Sequence, residues 1–287
     1  MNVFDQPDNF PPIFFHAWEY LKTHGPTLRD ELACALAPPS FAKTAHVNVK
    51  STMNLGIRIH VFDVNSDFVS NSTRTNSCID FNSFRRAVRD IYFDQNVNSY
   101  SDLKLQKGNL QLAVAWFLSF PYDQTPGTWK HAEKQLPKDF SKERTHWPIQ
   151  NDTQWTGFER WTRFLGLGIR GIGRSDSLIL QPCINEFVHD VIDGLPGGSR
   201  TSIREFVDKL TLRYPSLPGG LVFNDLPSGV SNRVTTRNTS LIAQALRDAE
   251  SQKLIKLEAG VDVADREVFS VDAGEFNADF IVKDEKK

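Results

Sequence analysis

Three times along this chain the apolar positions fall in the same order: a helical stripe, a short apolar strand, a polar turn and a second strand. The segments are Thr44 to Asn71, Thr153 to Gln181 and Asn238 to Asp272. Apolar residues recurring at three and four positions mark a helix with one buried face, and short apolar runs between turn formers mark strands. A helix that runs into a hairpin is the second half of a winged helix, a module that grips nucleic acid or protein. The pattern predicts a mainly α fold with β-hairpin wings (α+β), in which tandem winged-helix modules flank a helical middle region.

The first domain is expected over residues 1–77. Pro11 and Pro12 suit a first helical turn, where a missing N–H costs nothing, and Ile13, Phe14, Ala17 and Leu21 follow at helical spacing. Gly25-Pro26 stops that helix. Thr27 and Asp30 have the spacing of a capping box for a second helix with Leu28, Leu32 and Leu36 on one face, closed by Pro38-Pro39. A third helix is predicted from about Thr44 to Asn54. There Ala45, Val47 and Val49 alternate like a strand, whereas Val49 and Met53 keep helical spacing. Gly56 is expected to release the chain into a strand carrying Ile57, Ile59 and Val61, with Asn65-Ser66-Asp67 turning it back through Phe68 to Asn71.

A helical middle domain is expected over residues 78–198. Phe81, Phe84, Ala87, Val88 and Ile91 form a stripe with Arg85, Arg86 and Arg89 on the other side, and Leu110 to Phe120 reads as a buried helix. Residues 124–150 are polar and proline-punctuated, so short helices joined by loops are predicted. Asn151-Asp152 can cap a helix with Trp155, Phe158, Trp161 and Leu165 on its apolar face. Gly166, Gly168 and Gly171 match the spacing of a dinucleotide fingerprint. That fingerprint needs a strand before the glycines and a helix after them, and here the order is reversed. The glycines instead end the aromatic helix and shape a hairpin, Leu167 to Ile172 and Leu178 to Leu180, in a third winged-helix-like unit.

The last module is expected over residues 199–272. Ser202 with Glu205 is a capping box, Ile203, Phe206, Val207 and Leu210 hold helical spacing, and Leu221 to Phe223 reads as a short strand. Asn238 then caps a helix with Leu241, Ile242, Ala245, Leu246 and Ala249 on its face. Leu254 to Leu257 and Val268 to Val271 are expected to form its wing. Residues 273–287 read as a loosely held acidic tail.

Charge decides where a partner would sit. With 33 Lys and Arg against 35 Asp and Glu, the net charge of −2 removes the generic argument for a nucleic-acid binder, so any basic face is local. The most basic stretch runs from Pro227 to Arg247, with three arginines and no acid. If a helix of this chain enters a major groove, the last module supplies it, led by Arg233 and Arg237, with Arg247 further along and Lys253 near the wing. In the first module the matching candidates are Lys43, His46 and Lys50 on the third helix and Arg58 on its wing. The competing reading of the first module makes these ordinary solvated side chains; that of the last module has Asp248, Glu250, Asp262 and Asp265 blunt the field while the module docks onto protein.

Chemistry is harder to find. The seven histidines form no HExxH or HxH pair, and Cys34, Cys78 and Cys183 form no CxxC pair, so neither a metal, a cofactor nor a disulfide framework is expected. No GxSxG elbow or phosphate-cradling GxxxxGK[ST] loop occurs. Acidic pairs such as Asp262 and Asp265, or Asp123 and Glu133, are the only basis for a nuclease alternative. With no apolar run of membrane-spanning length and no signal-like beginning, a cytoplasmic location is expected.

The proline-rich approach to the first module, the aromatic segment WTGFERWTRFLGLG and the last-module segments LPGGSRTSIREF and LIAQALRDAESQKLIKLEAG resemble proteins of the DpdG type. That family is encoded in bacterial anti-phage islands built around 7-deazaguanine DNA modification. The resemblance implies a non-enzymatic subunit working beside ATPase, helicase or nuclease partners, and it supplies no catalytic residue. The expected function is therefore a DNA-binding or assembly subunit of a defence complex, with a pure protein–protein adaptor and a nuclease as alternatives.

Overall fold

The computed structural model describes residues 11–38, 40, 43–93, 110–120, 124–172, 178–231, 239–259, 268–271 and 274–283. The chain is mainly helical with small antiparallel sheets, and it divides into two compact units. One unit contains residues 1–111 and 148–165, and the other contains residues 112–147 and 166–287.

The first unit opens with α1 (Pro11–His24), β1 (Thr27–Leu28), α2 (Arg29–Leu36), α3 (Lys43–Arg58), β2 (Phe62–Asn65) and β3 (Phe68–Asn71). The three strands form one antiparallel sheet in the order β1-β3-β2. Ser66-Asp67 makes the turn between β2 and β3, with Ser66 in the left-handed region at φ 55°. Against this frame pack α4 (Phe81–Tyr92), started by a capping box between Asp80 and Ser83, and a second helix, labelled α7 below, at Asp152–Leu165. Phe14 meets both Phe62 and Trp161 edge-on at 5.9 and 5.3 Å, and Trp161 meets Tyr92 at 5.3 Å, so the aromatic stripe of the sequence is core.

Several expectations in this unit are corrected. The third helix does not stop near Asn54: it continues to Arg58, and Ile57, Ile59 and Val61 form no strand. Gly56 is needed inside the helix instead, because a Cβ there would lie 2.6 Å from the Phe62 ring. The helix ends at Arg58; two residues on, His60 takes φ 62° and Val61 N–H donates back to Gly56 C=O, the six-to-one bond of a Schellman turn. Thr27 does not cap α2: it lies in β1 and pairs with Val69. Arg89 was expected on the open side of its helix. It is buried, and its guanidinium donates to Leu165 C=O at 3.1 Å.

The second unit holds α5 (Leu110–Leu118, from its third residue onward), α6 (Trp129–Asp139), a short 3-10 turn at Arg144–His146, the hairpin β4 (Gly168–Ile172) and β5 (Leu178–Pro182), and α8 (Asn185–Gly194). Every residue of α5 is buried, and Trp116 Nε1 donates to Asp139 on α6 at 2.7 Å. Gly127 accepts from Leu180 N–H and approaches Ile179 so closely that a Cβ would sit 2.6 Å away. Beyond Leu165, which ends α7, Gly166 takes φ 79°, and β4 and β5 pair as the sequence predicts; the turn residues 173–177 lie outside the described residues.

From α8 onward the order of the first unit returns: α8, β6 (Arg200–Ser202), α9 (Ile203–Arg213), two short helices α10 (Leu221–Asn224) and α11 (Ser228–Ser231), then α12 (Thr239–Ser251), β7 (Ile255–Glu258) and finally β10 (Phe280–Lys283). The sheet order β6-β10-β7 matches β1-β3-β2. The match holds residue by residue. Phe62 pairs with Asn71 as Ile255 pairs with Lys283, and Thr27 pairs with Val69 as Thr201 pairs with Ile281. Arg29 N–H donates to Asp67 C=O and Ile203 N–H to Asp279 C=O, both at 3.0 Å. Buried Val49, Thr52 and Met53 keep the spacing of buried Ile242, Ala245 and Leu246. Lys253 takes φ 60° and Leu254 N–H returns to Ala249 C=O, as His60 and Val61 do. The chain thus contains one α-β-α-α-β-β unit twice.

The second copy carries an insertion. Where the first has only Ser66-Asp67, the second has a further hairpin, β8 (Val268–Val271) with β9 (Gly274–Asn277), between β7 and β10. Val268 to Val271 therefore do not return to β7 as expected; they pair with β9. The acidic tail is also corrected, since it supplies β9 and the central strand β10. Ile281 is fully buried, and Lys283 donates to Asp193 and Leu195 C=O at the end of α8, where the helix dipole favours a cation. Leu221 to Phe223, expected as a strand, is a turn of helix. Ser202 does cap α9, accepting from Glu205 N–H at 3.1 Å.

Candidate interaction interface

In each copy of the repeat the third helix presents an outer face flanked by the hairpin, so the candidate residues are judged by what holds them there. On α3, His46 Nδ1 is 3.0 Å from Ala37 C=O, and Lys50 Nζ lies 2.7 Å from Asp30 Oδ1 at the start of α2. The Lys50 ammonium holds the Asp30 carboxyl below its ordinary range, through a hydrogen bond first and charge second. Lys43 begins this helix, and Arg58 is exposed at its last residue, on the helix and not on the wing. Lys50 sits one turn from both His46 and Asn54.

The hairpin beside α3 is acidic. From Phe62 to Asn71 it carries Asp63 and Asp67 and neither Lys nor Arg. Its exposed apolar residues are Val64 and Phe68, and Val47 on α3 is 57% exposed. Between α3, the start of α2 and the hairpin turn lies a groove of about 480 Å³ lined by Leu28, Arg29, Asp30, Lys50, Asn54 and Asp67.

On α12, Arg247 is exposed and pairs with Glu250 at 2.9 Å, while the other Glu250 oxygen accepts from Leu257 N–H. Asp248 accepts from Asn185 on α8 at 2.7 Å. Lys253 is exposed in the left-handed turn after the helix, and Lys256 on β7 pairs with Glu258 at 3.0 Å. Arg233 and Arg237 lie outside the described residues.

The acidic pairs offer little. Asp262, Asp265 and Asp123 lie outside the described residues, and Glu133 pairs with Arg144 at 2.7 Å. Among the described residues no three His, Cys, Asp or Glu stand close enough to share a metal ion. No helix of the described residues is long and apolar enough to cross a membrane.

The comparison with known families decides the identity. A family model described as DpdG-like matches residues 1–263, which includes the whole first repeat and the second as far as β7. The chain belongs to the DpdG-like family. Membership connects it with the Dpd defence and DNA-modification system. No curated protein and no solved structure is similar enough to match. The DpdG-like match stops before β8, β9 and β10, so the strand that closes the second sheet lies beyond the matched residues.

The sequence identified the third helices but missed their partners. Asp30 is the informative omission, since its pairing with Lys50 joins two helices. The repeat in the order of elements was the available signal, although only its helix–hairpin half was legible.

Proposed function

We propose that this DpdG-like chain is a non-catalytic assembly subunit of the Dpd system, built on two winged-helix modules, with the first module holding a partner protein. The observation that carries the reading is the electrostatics of the α3 face. Its central cation, Lys50, is engaged by Asp30, and the adjoining hairpin carries Asp63 and Asp67 without a basic residue. Phosphate approaching such a face meets carboxylate on the hairpin, whereas a DNA-binding wing supplies cations. Exposed Val47, Val64 and Phe68 give the same region apolar area to bury against protein.

The reading is tested by co-expressing the chain with the other Dpd proteins, including any ATPase, helicase or nuclease subunit, and following co-elution at low and high salt. An assembly subunit elutes with at least one of them at both; elution alone in every combination rejects the reading.

A second reading, DNA binding by the last module, draws on exposed Lys253 beside α12 and exposed Lys256 on β7. Arg233→Ala with Arg237→Ala tests it: weaker binding to labelled duplex supports the reading, and unchanged binding moves the DNA face elsewhere.

A further inference from the structure

A basic surface lies outside both repeats, on α6 of the second unit. This helix buries Ala132, Leu136 and Asp139, and residues four apart share one side of a helix, so Lys130, Lys134 and Lys138 form a row on the side opposite the buried one. All three are exposed, as is Lys142 in the loop that follows, and among the described residues none of the four makes an ion pair or a hydrogen bond. The acids of the segment are engaged elsewhere. Glu133 holds Arg144 at 2.7 Å, and that guanidinium also lies over the Trp147 ring. Asp139 accepts from Trp116 at 2.7 Å and from Gln135 at 2.8 Å, and Glu143 stands 3.8 Å from His146. Residues 129–146 carry five Lys and Arg against three Asp and Glu, so the segment stays positive after every one of its acids is counted.

We infer that the lysine row of α6 takes an acidic helix of a partner protein, with Asp or Glu residues set four apart to meet Lys130, Lys134 and Lys138 in turn. This rests on the assembly reading and adds to it a second surface, in the other unit. The spacing supplies the shape argument: successive lysines stand about 6 Å apart along the axis, the step at which a second helix presents its own every fourth residue. Two observations favour carboxylate over phosphate. Every free cation of the row is lysine, a hydrated point charge, whereas the arginine fork that suits phosphate, Arg144, is engaged by Glu133. The row on the helix is about 12 Å long, and exposed Glu143 follows Lys142 directly. An acidic helix can end there, whereas a duplex carries a phosphate about every 3.4 Å on each strand and would run on past that carboxylate. Charge pairing of this kind sets orientation and association rate more than affinity, so the row positions a partner that other contacts hold.

The test uses the full chain in complex with whichever Dpd protein co-purifies with it. Reversing the row with Lys130→Glu, Lys134→Glu and Lys138→Glu together is expected to weaken the complex about tenfold at low salt and much less at high salt, where the pairing is already screened. Arginine at the same three positions should preserve the complex, and Arg204→Glu, which reverses an exposed charge on α9, should leave it unchanged. A photo-crosslinker at His131, exposed beside the row, is the second measurement and needs no charge reversal. It is expected to join a partner segment with Asp or Glu at four-residue spacing. A complex indifferent to the reversal, or a crosslink to a segment without acids, overturns the row and leaves the assembly reading intact. Labelled duplex DNA that the parent binds and the reversed variant does not would overturn the carboxylate partner in favour of nucleic acid. Elution of the chain alone in every combination overturns the assembly reading and this inference with it.

Discussion

Lys50 and Ala243 occupy the same position on the third helices of two matching units, yet Lys50 extends to Asp30 at 2.7 Å and Ala243 is fully buried. The difference follows from what lies beside each helix. In the first unit the flank faces an open groove, where only a long, solvated side chain can stand. In the second the inserted strand β8 packs along the helix. One frame thus carries two different surfaces.

The Lys50–Asp30 pair is exposed, so its removal should scarcely move stability, but it should move a titration. The Asp30 carboxyl is held low chiefly by its hydrogen bond to Lys50 and next by that residue's charge. In Lys50→Ala the Asp30 pKa should rise toward the ordinary carboxylate value, as read by carbon-detected NMR titration. The sign follows from linkage: a folded-state pKa below the unfolded one contributes stability above the unfolded value and loses it as pH falls through the folded one. The variant should therefore lose less stability than the parent on acidification. An unmoved Asp30 titration would show that the pair does not form.

Gly56→Ala sets helix propensity against packing. Alanine is favoured over glycine in a helix by about 1 kcal/mol, but here its Cβ would lie 2.6 Å from the Phe62 ring that anchors β2. Overpacking of this kind costs about 1–3 kcal/mol, so a net loss is expected in urea unfolding. A gain in stability would mean that Phe62 moves aside freely.

Tyr92 is fully buried with no hydrogen-bond partner for its hydroxyl among the described residues, and burial pushes its pKa well above the ordinary phenol value. A raised pKa keeps its contribution intact below the unfolded value near 10 and loses it as pH rises further. Tyr92→Phe removes the orphan hydroxyl, so it should be neutral or stabilising by up to about 1 kcal/mol and should flatten the alkaline loss of stability. Destabilisation by Tyr92→Phe at neutral pH would reveal a partner for the hydroxyl.

Deleting residues 259–277 should restore the short turn of the first unit, leaving Ala278-Asp279 in the place of Ser66-Asp67. With Ala278→Gly to suit the left-handed position that Ser66 takes, β7 and β10 should still pair. Placing Ala243→Cys in both backgrounds tests the cover: thiol modification at 243, read by mass spectrometry, should be slow in the parent and fast in the deletion. Equal slow rates in two folded proteins would assign the burial of Ala243 to something other than the insertion.

The features legible in the sequence were those with a period. The α7 stripe of Trp155, Phe158, Trp161 and Leu165 and the hairpin around Phe68 and Asn71 repeat at intervals that packing imposes. Thr27–Leu28 and Arg200–Ser202 are too short to show a period, so β1 and β6 went unread and each three-stranded sheet was expected as a two-stranded hairpin. Phe280 to Lys283 was hidden by its acidic surroundings: charge counted over residues 273–287 obscured an alternation that buries Ile281. Gly56 was read as a stop because glycine ends many helices, whereas its role is to admit the Phe62 ring. The candidate cations were visible individually, but Asp30 meets Lys50 only across two helices.

The most direct test of the central claim, that these modules face protein and not phosphate, is fluorescence anisotropy of labelled duplex DNA with the full chain at two salt concentrations. The account predicts no salt-sensitive micromolar binding, because the α3 face sets carboxylates against the backbone. Binding that weakens steeply with salt, with a slope of several phosphate contacts that Lys50→Ala reduces, would contradict it.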